Sequence, residues 1–195
     1  FTPGLLKDEK ALVTITDVKS KFLQGKIKKL LTKSDDRKTM TSKLGALDLY
    51  HLKDDKQNDW QVEITRNSLK RAINFDGEIS NIIEDSQTLN YRNKVVYHVL
   101  DDEMMRLGLY TTTPIELVEV HTFILNSLAI QRCIAKIQQQ SIKIDPKVFK
   151  HIMLRSNEKE EVLVTLVAYE KDFTGLKELV DKIKTFKEVV GIVLN

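Results

Sequence analysis

The sequence predicts an α+β protein in which a small β-module precedes a larger domain of mixed sheet and helices. Three observations support this class. Residues 11–18 alternate apolar and polar side chains, which is typical of a half-buried strand, and residues 57–74 repeat apolar side chains at helical spacing. Residues 151–195 then read as strand, strand, helix and strand. Strands and helices in this order favour a mixed or antiparallel sheet with flanking helices.

The β-module covers residues 1–37. Its second part, residues 21–34, contains short strand-like pieces around Gly25 and ends at a polar turn. The helix near 57–74 ends at Asn74 and the Asp76-Gly77 turn, which are ordinary helix-stop residues. The remaining predicted elements are strands near 91–99, 104–110 and 115–120, a helix over 121–140, a hairpin over 151–155 and 161–170, a helix over 173–186 and a strand over 189–195.

Composition and charge narrow the class of protein. A hydrophobic content of 42% with 30% charged residues is ordinary for a soluble globular protein. Neither a signal peptide nor a membrane-spanning run of about 20 apolar residues is evident, so we expect a cytoplasmic protein. The net charge is only +3, but the excess of lysine and arginine is concentrated in the first 40 residues. A basic module of this kind suits a phosphate backbone, and a merely solvated lysine-rich face explains it about as well.

Catalytic and metal-binding patterns are scarce. The histidines at 51, 98, 121 and 151 lack metal-ligand spacing, so we interpret them as structural residues. Cys133 lies in an apolar helical run, which predicts an inert core thiol. The seven glycines form no phosphate-binding loop. Residue patterns alone therefore indicate an α+β protein with a basic β-module.

An ordered set of short motifs adds a family resemblance. The motifs are LGALDLYHL (44–52), WQ (60–61), YRNK (91–94), LGLY (107–110), PIELVEV (114–120), HIMLR (151–155) and VVGIVLN (189–195). In this order they resemble the 5-methyluridine RNA methyltransferases, which use S-adenosylmethionine to methylate C5 of uridine in ribosomal or transfer RNA. YRNK is the most specific of these motifs, and the resemblance covers nearly the whole chain.

The resemblance implies a domain organisation. Residues 1–37 would be the later part of a TRAM-type, OB-fold-like RNA-binding module without its first strand. Residues 38–195 would be the central domain, with the helix near 57–74 facing an absent catalytic domain. Because the chain starts abruptly at Phe1 and stops on a core-like strand at Asn195, we expect a piece of a longer protein.

The implied function is that of the RNA-binding and central portion of a uracil-C5 methyltransferase, acting on 23S ribosomal RNA in preference to transfer RNA. The family's cofactor glycine motif, nucleophilic cysteine and proton-abstracting carboxylate lie beyond the point equivalent to Asn195. S-adenosylmethionine is therefore expected only in the full-length parent, and this chain alone should be inactive, with no catalytic residue. The alternative is a free-standing RNA-binding or assembly module.

Many members of the family carry an iron–sulfur cluster on cysteines, but the equivalent stretch here, residues 41–52, has no cysteine. We therefore expect no cluster and no metal site.

The resemblance and the charge pattern together predict a set of RNA-contacting cations: Lys26, Lys28, Lys29, Lys33, Arg37, Arg92, Lys94 and Arg155. Arg92 and Lys94 are two residues apart, so on a strand they would share one face. Two alternatives stay open. The lysines could serve solubility alone, and Arg92 could pair with a nearby carboxylate such as Asp101 or Glu103.

Overall fold

A computed structural model describes residues 1–39, 44, 47, 49–84, 87–112 and 115–195. The chain divides into two compact units, 1–84 and 85–195. Among the described residues, eight strands form two sheets and three helices accompany them, which confirms the predicted α+β class. The predicted domains 1–37 and 38–195 stay a prediction. The two compact units reflect contacts within the chain, and such contacts do not show which segment corresponds to which domain of a protein family.

The first unit opens with a twisted β-hairpin. Strand β1 (Lys10–Val18) pairs antiparallel with β2 (Leu23–Thr32), and three register shifts interrupt the ladder. Such irregularities bend and twist a two-stranded sheet. Gly25 is required on β2, since a Cβ there would lie 2.4 Å from a methyl group of Val13. The hairpin leaves large apolar side chains partly exposed, namely Leu12, Ile15, Val18, Leu23 and Leu31.

Helix α1 (Asp54–Ile73) confirms the predicted helix and its end at Asn74, which adopts a left-handed conformation with φ of 53°. Asp54 and Asp55 in the first turn and Lys70 and Arg71 in the last turn complement the helix dipole. None of its residues is buried.

The second unit is built on a six-stranded sheet of order β5-β4-β3-β6-β7-β8. Its strands are β3 (Lys94–Val99), β4 (Leu107–Tyr110), β5 (Leu117–Glu119), β6 (Phe149–Ser156), β7 (Val162–Ala168) and β8 (Val189–Leu194). All neighbours are antiparallel except β7 and β8, so the sheet is mixed. Helix α3 (Leu176–Ile183) makes the crossover between the two parallel strands, and α2 (Leu128–Gln138) lies between β5 and β6 in the chain.

The core lies on one face of this sheet. Alternate residues of β3, such as Val95 and Tyr97, are buried together with Ile134 of α2 and Leu179 of α3. Because neighbouring residues of a strand point to opposite faces, the residues between them lie on the other face. We call this second surface the open face; it carries Lys94, Val96, His98, Tyr110, His151, Met153, Arg155, Leu163 and Val193.

Several predicted boundaries differ from the structure by three residues or more, and two of these differences have a common cause. Helix α2 begins at Leu128 instead of residue 121, because Asn126 bridges to Arg92 in an extended conformation and Ser127 caps the helix. Strand β3 begins at Lys94 instead of residue 91 for the same reason, since Arg92 bonds to the segment before α2 and not to a strand of the sheet.

Part of the sequence prediction lies outside the described residues. Half of the cysteine-free stretch 41–52 falls there, as does Pro114 of the PIELVEV motif. Among the helices that are described, none is both long and apolar enough to cross a bilayer.

Candidate nucleic-acid interface

The β-hairpin presents four of the predicted cations to solvent. Lys26, Lys28 and Lys29 are exposed on β2, and Lys33 follows its end. The register passes from Lys29 opposite Leu12 to Ile27 opposite Val13, so Lys28 is an extra residue without a partner on β1. None of the four forms an ion pair among the described residues. The structure thus leaves these ammonium groups available to an anion.

Arg37 has a different role. Its guanidinium donates to both carboxylate oxygens of Glu9, at 2.5 and 2.6 Å, and to the carbonyl oxygen of Gly4. The Glu9 carboxylate also accepts from the amides of Leu6 and Ser34. The Glu9 side chain is 0% exposed and that of Arg37 only 13%. The pair closes the base of the hairpin, so we leave Arg37 out of the proposed surface.

The Arg37 hydrogen bonds, with those from the two amides, lower the pKa of the Glu9 carboxyl to about 2 although burial opposes the shift. Each of these donors favours the ionised form. Glu9 is therefore charged at any pH above this value, and the ion pair persists through the neutral range.

Arg92 lies at the entrance to β3 and is bound mainly through its backbone. Its amide donates to the carbonyl of Leu125, and its carbonyl accepts from the amide of Ser127, both at 2.8 Å. Its guanidinium carbon stands 5.4 Å from the centroid of the Phe123 ring, within cation–π range. None of the ion pairs among the described residues includes Arg92, so the alternative pairing with Asp101 or Glu103 was wrong.

Lys94 and Arg155 meet at one end of the open face. They are direct partners across β3 and β6, and both side chains are exposed. Like charges placed directly opposite each other on two strands repel, and neither has a carboxylate partner among the described residues. An exposed pair of this kind gains from an anion that binds between the two charges. The sequence named both residues but could not place them side by side.

A polar network behind these cations escaped the sequence analysis. The hydroxyl groups of Ser127 and Ser156 share a hydrogen bond of 2.7 Å, and the Ser156 amide donates to the carbonyl of Asn93. Asn126 is fully buried and donates to the Tyr97 hydroxyl at 3.1 Å. The network fixes the YRNK segment to β6 and to the start of α2. An Asn-Ser pair just before an apolar helix is a capping signal that could have revealed it.

Cys133 belongs to the core of the second unit. It is fully buried, as predicted, and burial raises the pKa of its thiol to about 12. The side chains of the described residues form no cluster suited to a metal ion.

Apart from Arg37, the predicted cations fall into two groups. The hairpin lysines lie in the first unit, and Arg92, Lys94 and Arg155 lie in the second.

Comparison with known proteins gives the family context. No protein-family model matches the chain. A protein of Lactobacillus johnsonii named as an uncharacterized RNA methyltransferase is 26% identical over 213 residues, which cover 100% of this chain and 46% of the relative. A protein of the same name from Clostridium tetani is 20% identical and covers 100% of this chain and 46% of its own length. The chain thus spans about half the length of these relatives.

A solved structure shares the fold. The tRNA (uracil-54, C5)-methyltransferase of Pyrococcus abyssi, in complex with S-adenosyl-L-homocysteine, superposes with a TM-score of 0.62 at 21% identity. The match covers 98% of this chain and 46% of that protein. These likenesses confirm the resemblance to RNA methyltransferases that the ordered motifs indicated.

Proposed function

We propose that this chain is the RNA-binding and central portion of a uracil-C5 RNA methyltransferase whose S-adenosylmethionine-binding catalytic domain follows it in the full-length protein. The observation that carries the proposal is a similarity to proteins named as RNA methyltransferases. It extends over the whole of this chain and over about half the length of each of those proteins. The fold neighbour, a tRNA uracil-C5 methyltransferase, supports the uracil-C5 class. The chemistry belongs to the catalytic domain, and this chain supplies binding and orientation of RNA.

We propose that each unit contributes its own RNA contacts: Arg92, Lys94 and Arg155 in the second unit, and the four hairpin lysines in the first. Arginine can bind a phosphate through two parallel hydrogen bonds, whereas lysine acts as a compact point charge. Binding through such contacts is largely independent of sequence and weakens as salt increases. We propose ribosomal RNA as the natural substrate and transfer RNA as the competing one.

The test is a titration of a fluorescent, uridine-rich single-stranded RNA followed by anisotropy at about 50 and about 200 mM salt, a range over which phosphate contacts lose much of their strength. Lys94→Glu combined with Arg155→Glu should weaken binding and make the dependence of log K on log salt shallower by about 1.4, or about 0.7 for each lost single-strand contact. The matched control is Lys177→Glu with Lys184→Glu at helix α3, which has the same charge change on the covered side of the sheet.

If the wild-type chain binds no RNA, or if the control pair weakens binding as much as the Lys94–Arg155 pair, the proposed surface is wrong. Titration with ribosomal and transfer RNA fragments under the same conditions compares the two substrates. Tighter binding of the transfer RNA would contradict the ribosomal assignment and leave the RNA surface intact.

A further inference from the structure

The open face carries an aromatic cluster at the end away from Lys94 and Arg155. His98 on β3 lies directly opposite His151 on β6, and their ring centroids are 4.6 Å apart. Tyr110 on β4 packs against His98 with an edge-to-face geometry and a centroid distance of 4.7 Å. Tyr110 is 48% exposed, so much of its ring remains open to a ligand.

A cleft of about 420 Å³ adjoins this cluster. Its walls are formed by His98, Val99, Asp101, Tyr110, Leu117, Pro146, Lys147, Lys150 and His151. Neither Lys147 nor Lys150 forms an ion pair among the described residues, but the Lys150 ammonium donates to the Pro146 carbonyl at 2.9 Å and lies 5.1 Å from the centroid of the Tyr169 ring. The cleft therefore combines an exposed aromatic ring, two imidazoles and two ammonium groups without an ion-pair partner among the described residues, and Asp101 is the carboxylate in its wall.

The surface between the two ends is apolar. Val96 and Met153 are half-buried cross-strand partners midway between the two ends. Towards β8 the open face continues from Met153 through Thr165 to Val193, which is 45% exposed, and Leu163 lies opposite Arg155. From Lys94 to His98 the strand advances four residues, or about 13 Å at about 3.3 Å per residue. Cations thus stand at both ends of a short path that is apolar along its middle and aromatic at one end.

We propose that the open face binds a short run of single-stranded RNA along this path. Phosphates contact Lys94 and Arg155 at one end and Lys147 and Lys150 at the other, while a base stacks on Tyr110 beside His98. Aromatic rings that stack bases, combined with cations that track the backbone, form the usual platform for single-stranded nucleic acid. The inference rests on the proposed function and extends it to residues at the opposite end of the sheet.

Charge favours RNA over another protein as the occupant. A protein partner that covered the apolar middle of the sheet face would also need acidic groups at both ends. These groups would have to pair with Lys94 and Arg155 at one end and with Lys147 and Lys150 at the other. A nucleic acid strand supplies a negative charge at every nucleotide and an aromatic surface at every base. One ligand therefore satisfies both ends and the exposed ring.

Variants of Tyr110 test the stacking contact by the same anisotropy titration. Tyr110→Leu keeps apolar volume but removes the ring, and it should weaken binding by at least about fivefold with an unchanged salt dependence. Tyr110→Phe keeps the ring and should bind like the wild type. Circular dichroism and thermal unfolding establish that each variant is folded.

Lys147→Gln with Lys150→Gln tests the phosphate contacts independently and decides the matter if the leucine variant does not fold. This pair should make the salt dependence shallower by about 1.4. If Tyr110→Leu and the Lys147–Lys150 variant both bind RNA with wild-type affinity and salt dependence, while the Lys94–Arg155 charge reversal still weakens binding, the extended path is wrong and the proposed function stands. Absence of RNA binding by the wild-type chain would overturn both.

Discussion

A single carboxylate fixes the base of the β-hairpin. Glu9 accepts hydrogen bonds from Arg37 and from two backbone amides, and its side chain is 0% exposed. Charge composition suggested that Arg37 would face RNA, but composition cannot reveal that a carboxylate far from it in the chain comes to lie beside it. The four neighbouring lysines have no such partner among the described residues and remain candidates.

Glu9→Gln should destabilise the protein, and the effect should depend on pH. The pKa of Glu9 falls from 4.5 to about 2 on folding, so the ionised pair contributes stability that is fully present above pH 4.5 and disappears as the pH falls through about 2. A pKa shift of this size corresponds to a contribution of about 3 kcal/mol to the free energy of unfolding. Urea unfolding of both proteins should show a difference of this order near neutrality that shrinks between pH 4.5 and 2. A difference that stays constant over this range would contradict the argument.

At the scale of elements, α1 and α2 differ in how they are held. Helix α1 has no buried residue, whereas α2 buries five, including Ile130, Cys133 and Ile134. Buried contacts set the free energy of local opening, so amides in α1 should exchange with deuterium much faster than those in α2. Hydrogen-exchange mass spectrometry of peptides from 54–73 and 128–138 measures this directly. Equal protection of the two helices would contradict it.

We propose that α1 lies against the catalytic domain of the full-length protein, as the family resemblance implied. Its central residues Trp60 and Ile64 are one helical turn apart and are 39% and 44% exposed. In the full-length protein, exchange within α1 should slow relative to the chain alone.

Most elements were predictable because their apolar periodicity is strong. The apolar run within residues 161–170 and the helical spacing of 173–186 each led to an element close to the observed one. The early start predicted for α2 failed because Phe123 and Ile124 are apolar at helical spacing, although the segment forms a turn in which the Asn126 amide donates to the Phe123 carbonyl and the Leu125 carbonyl accepts from Arg92. The pairing of β3 with β6 joins residues about 60 apart, and no local pattern reports such a distant partner.

The candidate site, too, was predictable from the sequence only in its local features. Individual cations could be named from the sequence, but the juxtaposition of Lys94 with Arg155 depends on sheet register. The contact of His98 with His151 and Tyr110 depends on it as well, since these residues come from three different strands. Residue types are therefore a guide to candidate chemistry, whereas the tertiary fold determines which of them act together.

For the whole molecule, we expect the chain alone to bind neither S-adenosylmethionine nor iron. It has no glycine-rich cofactor motif, and its single cysteine is Cys133. Isothermal titration with S-adenosylmethionine should give no stoichiometric complex, and the purified protein should lack the visible absorbance of an iron–sulfur cluster. A saturable complex with the cofactor would show that cofactor binding does not require a further domain, and a coloured, iron-containing protein would refute the metal prediction.

The most direct test of the account is to map where RNA touches the chain. A uridine-rich single-stranded RNA carrying a photoreactive uracil analogue is bound to the wild-type protein, irradiated and digested, and the adducts are located by mass spectrometry. The account predicts adducts on peptides of β3, β4 and β6, including Tyr110, that unlabelled RNA competes away. Adducts confined to α2 and α3, on the covered side of the sheet, would contradict it, as would adducts that unlabelled RNA leaves unchanged.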